Sequence, residues 1–208
     1  MLKSDLFSAV KTTVIFLVLC GLVFPLLLVG IAQIADKPAA EGSLLIQDGS
    51  VVGSSLVGQT FSDPMHFQSR PSGVSNWGPY NPALIQNVSQ QVAYQKALNP
   101  SMSLVPIDLV TQSGSGTDPD ISVTSALLQI PRISNVTGIS QSRLGALVDQ
   151  YTENPTAGIF GEARVNVLQL NIALDGLMNP TALHAAEKNA TASNAVALNA
   201  SAMNTTTT

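Results

Sequence analysis

Charge is what this chain has least of. Asp, Glu, Lys and Arg make up 11% of its 208 residues and sum to −4, against about 25% in an ordinary soluble domain. Basic residues form no cluster, which argues against nucleic acid as a partner, because phosphate neutralisation needs grouped Lys and Arg. Cysteine is nearly absent as well. Cys20, the one example, lies in an apolar run, so no internal disulfide forms and the redox compartment is not legible. The histidines, His66 and His184, stand far apart, and neither falls in a metal-ligand spacing. A Ser-His-Asp set could be drawn on paper from His66 and the many serines, but composition alone accounts for it. The sequence around Gly114-Ser115-Gly116 lacks the GK[ST] ending of a phosphate-binding loop. Nor does a DKTGT-type segment occur, whose aspartate would accept phosphate. The expectation is a non-catalytic chain with no cofactor and no metal of its own.

One long apolar run is present. Val14 to Ile34 carries no charge, and at about 1.5 Å per residue it crosses a hydrocarbon core of about 30 Å. Pro25 within it is tolerated in a membrane helix and predicts a kink. A cleaved signal would have a shorter apolar core, about 7–15 residues, so small residues near Ala32–Ala35 notwithstanding, a retained anchor is expected. Lys3 and Lys11 precede the run, whereas Asp36, Lys37 and Glu41 follow it. The positive-inside bias then puts the N-terminus in the cytoplasm and the bulk of the chain outside the cell membrane, in contact with lipid only through a single pass. One span cannot wall an ion pathway by itself.

Beyond a linker, two β-rich runs, Ser43–Gln47 and Ser50–Val57, flank Asp48-Gly49, a hairpin signal. Phe61 to Pro82 reads as an ordered loop whose Phe61, Phe67, Trp77 and Tyr80 need burial. Ala83–Leu98 is helical in composition and stops at Asn99-Pro100. Leu104–Val110 reads as an edge strand because of Pro106, and TQSGSGTDPD as a polar turn. Ser122 caps a helix to about Ile130, near Pro131. Ser140 caps a second, with Leu144, Leu147, Val148 and Tyr151 on one face. Asn166 caps a third, with Val167, Leu170, Leu174 and Leu177 as its stripe, widened by Leu168 and Ile172. Strands come first and helices dominate later. The fold class is therefore α+β, with an α/β arrangement around a short parallel sheet as the alternative. The organisation expected is an N-terminal segment (1–13), a transmembrane helix (14–34), a linker (35–41), one soluble domain (42–178) and a disordered Ala/Asn/Ser/Thr-rich tail (179–208).

Four blocks taken together resemble one family. They are GSLL with GSVVGSSLVGQTF and HFQSRPS (Gly42–Ser72), YNP (Tyr80–Pro82), VPIDLVTQSGSGTDPDIS running into ALLQIPRI (Val105–Ile133), and LVDQYTE with GEARVNVLQLNIALD, which reaches Asp175. In this order behind an N-terminal anchor, the chain resembles the C subunits of Kdp-type potassium-transporting P-type ATPases. It departs from them where ALIQNVSQ replaces a Gly/Ser-rich stretch and where Asp120 replaces a usual histidine. The resemblance implies three partners: a potassium-conducting A subunit, an ATP-hydrolysing B subunit and a small F subunit. It also implies a role in stabilising assembly and in raising the ATP affinity of the B subunit, with ATP reached through the complex. ATP is cytoplasmic, however, and an extracytoplasmic domain could act on it only across the membrane.

Candidate residues for subunit or nucleotide contact are Asp108, Thr111, Gln112, Ser113, Ser115, Asp118, Gln129 and Arg132. The competing reading makes them a turn whose Asp and Ser side chains cap the next helix. Arg70 and Arg132 are also candidates for pairing with interior carboxylates, and Gly116 and Asp118-Pro119 for shaping the turn. Asn87, Asn135, Asn189, Asn199 and Asn204 each open an N-x-[ST] sequon, a glycosylation expectation conditional on an external domain and a glycosylating host. A free-standing membrane-anchored ligand-binding domain is the alternative function. An anchored hydrolase is disfavoured by the missing nucleophile-base pair.

Overall fold

The computed structural model of the chain describes residues 2–47, 49–73 and 76–179. The chain divides into two compact units, Met1–Leu44 and the remainder from Leu45.

The first unit is helical. Helix α1 (Leu2–Val18) runs through a π-helical turn (Leu19–Val23) into α2 (Phe24–Ala35). Ser4–Ala35, 32 residues, is long and apolar enough to cross a membrane; it contains the expected span and measures about 48 Å at about 1.5 Å per residue. Its apolar side chains are exposed throughout, as lipid contact requires. Pro25 explains the π turn. Lacking an N–H, it cannot bond the carbonyl four residues back, and its ring crowds that carbonyl. The turn ahead of it widens, and the Phe24 N–H bonds Leu19 O instead. A short helix, α3 (Lys37–Ala40), follows; Asp36 caps it by accepting from Ala39 N at 3.2 Å.

In the second unit, β1 (Leu44–Gln47) and β2 (Ser50–Ser54) form the expected hairpin, with Gly49 at φ 76°; Asp48 lies outside the described residues. β2 is shorter than its β-rich run. Helix α4 (Pro82–Leu98) begins at Asn81, whose side chain accepts from Ala83 N at 2.9 Å. β3 (Asp120–Ser122) leads into α5 (Val123–Thr137), which is followed by α6 (Gln141–Gln150), β4 (Thr152–Glu153), β5 (Arg164–Asn166) and α7 (Val167–Met178). The sheet order is β3-β5-β4, and both pairings are antiparallel. The fold is α+β, and the described pairings of this sheet exclude the parallel alternative. All three expected caps form: Ser122 accepts from Ser125 N at 3.1 Å, Ser140 from Arg143 N at 3.4 Å and Asn166 from Gln169 N at 3.1 Å. Phe67, Leu109, Ile121, Ile133, Leu144, Val148, Val165, Leu170 and Leu174 form the core.

Several expectations are corrected. Leu104–Val110 is not a strand; Ile107–Leu109 forms a single 3-10 turn. Pro106 cannot donate to a ladder, and the Asp108 side chain turns inward together with Leu109 and Val110, so the segment has no alternating face. α5 does not end near Ile130. It carries Pro131 in its interior and closes at Gly138, with φ 75°. Phe67 is fully buried and Phe61 half-buried, but Trp77 is 40% and Tyr80 92% exposed. Tyr80 stands at the entry to α4, one residue before its cap, on the solvent side. The tail from residue 180 lies outside the described residues.

Gly58 marks a close approach. Its N–H bonds Thr117 O at 2.7 Å, and a Cβ there would lie 2.5 Å from Asp118 O. Because the obstacle is backbone, Gly58→Ala should cost about 1–3 kcal/mol, read as a lower thermal midpoint by circular dichroism. A midpoint unchanged within error would contradict this packing.

Candidate functional site

The candidate residues separate into an outer turn and an inner network. The outer turn spans 107–118 and is held by its own hydroxyls. Thr111 Oγ1 donates to Ile107 O at 2.7 Å; Ser113 Oγ accepts from Asp118 N and Ser115 Oγ from Thr117 N, each at 3.3 Å. Gly116 sits at φ 74°, and its N–H closes on Ser113 O at 3.1 Å. Gln112 Nε2 reaches across to Ser72 O at 3.1 Å. Asp118 accepts from Asp120 N at 3.0 Å and stands 3.8 Å from Arg70 Nη1. Ser115 is exposed, while Thr111, Gln112, Ser113 and Asp118 are half-buried.

Asp108, Gln129 and Arg132 lie inside. Asp108 accepts from Ser122 N at 2.7 Å and from Ser125 Oγ at 2.5 Å, so it ties the 3-10 turn to the first turn of α5. Arg132 donates from Nε to Asn99 Oδ1 at 2.8 Å, from Nη2 to His66 O and to Gln129 Oε1 at 2.9 Å each, and from Nη1 to Pro64 O. Gln129 accepts from Gln68 N at 2.7 Å and donates to Gln68 O at 3.2 Å. Asn171 of α7 does the same for Phe67, accepting from its N–H at 2.8 Å and donating to its carbonyl at 3.0 Å. Two amides and one guanidinium thus satisfy the carbonyls of Pro64 and His66 and both backbone groups of Phe67 and Gln68, in a segment that belongs to no sheet, as buried polar groups require. Burial pushes the Arg132 pKa down to about 10, against the pull of Tyr94 and Asp63; the group stays cationic at neutral pH. Its hydrogen-bond partners are carbonyl and amide oxygens, not an interior carboxylate, so the expected pairing is corrected for Arg132. Arg70 has Asp118, and its Nε is the one buried side-chain polar atom without a hydrogen-bond partner among the described residues.

Two clefts adjoin the turn. One, of about 340 Å³, is lined by Phe61, Gln68, Arg70, Asn87, Gln91, Tyr94 and Gln112 among others. The other, of about 550 Å³, is lined by Arg70, Ile107, Asp108, Asp118, Asp120, Glu162 and Arg164 among others. Arg164 bridges Asp120 at 2.9 Å and Glu153 at 2.8 Å. Burial raises the Asp120 pKa, and neighbouring Asp118 and Glu153 reinforce this against Arg164. No group of three metal-ligating side chains occurs among the described residues. Asn87 is half-buried on α4 and Asn135 exposed on α5; Asn189, Asn199 and Asn204 lie outside the described residues.

Sequence reasoning missed Asn99, Asn171, Asp63 and Asp175. His66 Nδ1 lies 2.6 Å from Asp63 Oδ2 and its Nε2 lies 2.8 Å from Asp175 Oδ1. The latter partner is 109 residues away in sequence, a separation at which no local pattern carries a signal.

Residues 6–176 match the family model described as "KdpC: K+-transporting ATPase, c chain". Among similar curated proteins, the "Potassium-transporting ATPase KdpC subunit" of Bacillus cereus (strain B4264) is 47% identical over 188 residues, covering 85% of this chain and 97% of that one. The proteins of the same name from Bacillus cereus (strain Q1) and Bacillus anthracis are each 46% identical over the same shares. With the family model matched from the apolar helix through α7, this chain belongs to the KdpC family, the c chain of the K+-transporting ATPase.

Proposed function

We propose that this chain is the accessory, non-catalytic C subunit of a Kdp-type potassium pump. The Ser4–Ala35 helix anchors it in the cell membrane, with the N-terminus cytoplasmic and the folded domain outside. The observation that carries this reading is the family match, which runs through anchor and domain together. The internal bonding supports it too: Asp108, Gln129 and Arg132 are spent on internal bonds, as suits a rigid docking body. The contact surface falls to the outer turn, where Ser115 is exposed and Thr111, Gln112, Ser113 and Asp118 are half-buried. Its partners are the potassium-conducting A subunit, the ATP-hydrolysing B subunit and the small F subunit. With the domain outside, a higher ATP affinity of the B subunit arises through the membrane, by favouring one state of the transport cycle.

Pull-down through a C-terminal tag in mild detergent should recover a multi-span potassium-conducting protein and a P-type ATPase. Recovery of this chain alone, stable and binding a small molecule, would sink the assignment in favour of a free-standing ligand-binding domain. Protease added to intact cells should cut the domain; cutting only after lysis, at a site shown to be accessible, would reverse the orientation.

A further inference from the structure

The segment that Arg132, Gln129 and Asn171 grip has one more fastening, and it is titratable. His66 directs both ring nitrogens at carboxylates, Nδ1 at Asp63 and Nε2 at Asp175 of α7. Carboxylates only accept, so both contacts are hydrogen bonds only when both ring nitrogens carry protons. A neutral imidazole has one N–H, and its second contact becomes lone pair against lone pair. The ring is 15% exposed and packs against Phe61 at a centroid distance of 5.6 Å. Asp63 also accepts from Met65 N at 2.8 Å and from His66 N at 3.1 Å, so the carboxylate organises the turn that the imidazolium holds.

We infer that His66 is a pH-operated latch: as imidazolium it pins the 63–72 loop to α7, and on losing its proton it releases that loop. The same loop carries Arg70 and Ser72, which reach Asp118 and Gln112 of the outer turn, so release loosens the edge of the proposed contact surface. This consequence rests on the reading above; the latch itself does not.

The charged and titratable groups around His66 are few. Its own loop supplies Asp63 and α7 supplies Asp175; α5 supplies Arg132, which donates to His66 O, and α4 supplies Tyr94, which interacts with Arg132. Burial alone would lower the His66 pKa, but the bonds to Asp63 and Asp175 outweigh it and hold the value above the usual 6.5. A histidine so raised contributes stability that is complete below about pH 6.5 and is lost as pH rises through the folded value. Asp63 works on the other side. Burial raises its pKa, yet the bonds from His66 and Met65 N overcome this and hold it below 3.8. Its contribution is therefore present above the unfolded value and lost as pH falls through the lowered one. The latch is shut between those limits and opens on the alkaline side.

Two measurements on the full-length chain in detergent test it. In a His184→Gln background the single remaining imidazole is followed by NMR; its midpoint should lie above 6.5 and move down in Asp175→Asn. The thermal midpoint should fall by about 2–4 °C between about pH 6 and about pH 9, and His66→Gln should remove that fall. A midpoint at or below 6.5, or the same pH slope in His66→Gln, would overturn the latch. The NMR titration needs no variant at His66, so a poorly folding His66→Gln does not block the test. Neither readout needs a partner: a chain that latches but recovers no pump subunits keeps this inference and loses the assignment above.

Discussion

Replacing Arg132 with alanine should cost the second unit about 2–4 kcal/mol, because it leaves several buried neutral oxygens without their donor. The guanidinium is 6% exposed and serves Asn99 Oδ1, Gln129 Oε1 and the carbonyls of Pro64 and His66. Truncation strands these oxygens away from water, at about 1–3 kcal/mol for each that finds no substitute. The costs do not add fully, because Gln129 still holds Gln68 and the loop can relax. Arg132→Lys should recover only a minority of the loss, since one ammonium cannot span acceptors that a planar fork reaches together. Urea titration followed by circular dichroism measures the effect as a lower transition midpoint. A loss under about 1 kcal/mol would mean the loop is held by its apolar contacts rather than by this side chain.

Asn171 gives the second large effect and a sharper chemical test. Its amide accepts from Phe67 N and donates to Phe67 O, and the residue is 1% exposed. Asn171→Leu fills similar space and leaves both backbone groups unpaired, at about 2–4 kcal/mol. Asn171→Asp keeps the acceptor but sets a second oxygen against Phe67 O, so it should be no milder than leucine despite its closer shape. Comparable unfolding midpoints for wild type and Asn171→Asp would exclude the paired-amide arrangement.

Helix starts were legible because each is announced locally: Ser122, Ser140 and Asn166 have the side chains that caps require, and an apolar face follows within one turn. The apolar anchor and the hairpin at Gly49 were legible for the same reason. The sheet was not. β3 and β5 have three residues each and β4 has two, too few to display an alternation, and the β3–β5 pairing joins segments far apart in the chain. Leu104–Val110 misled because its apolar composition suits a strand, whereas Pro106 and the inward Asp108 suit a turn. Pro131 suggested a helix end, but packing of Ile130, Arg132 and Ile133 on the core carries α5 past it. At the candidate site, local residues disclosed the turn around Gly116 and the cap at Ser122. The grip on residues 64–68 depends on partners 61 to 104 residues distant and becomes visible only once α5 and α7 have met.

The widened turn ahead of Pro25 has a geometric consequence for the anchor. An extra residue in one turn advances the helical phase by about 100° relative to an uninterrupted α-helix. Side chains up to Val18 and those from Phe24 onward therefore do not share one continuous stripe. A helix complementary to the first half would meet a rotated surface on the second. Returning Leu19–Val23 to regular winding would turn one half against the other and bring both faces into one stripe.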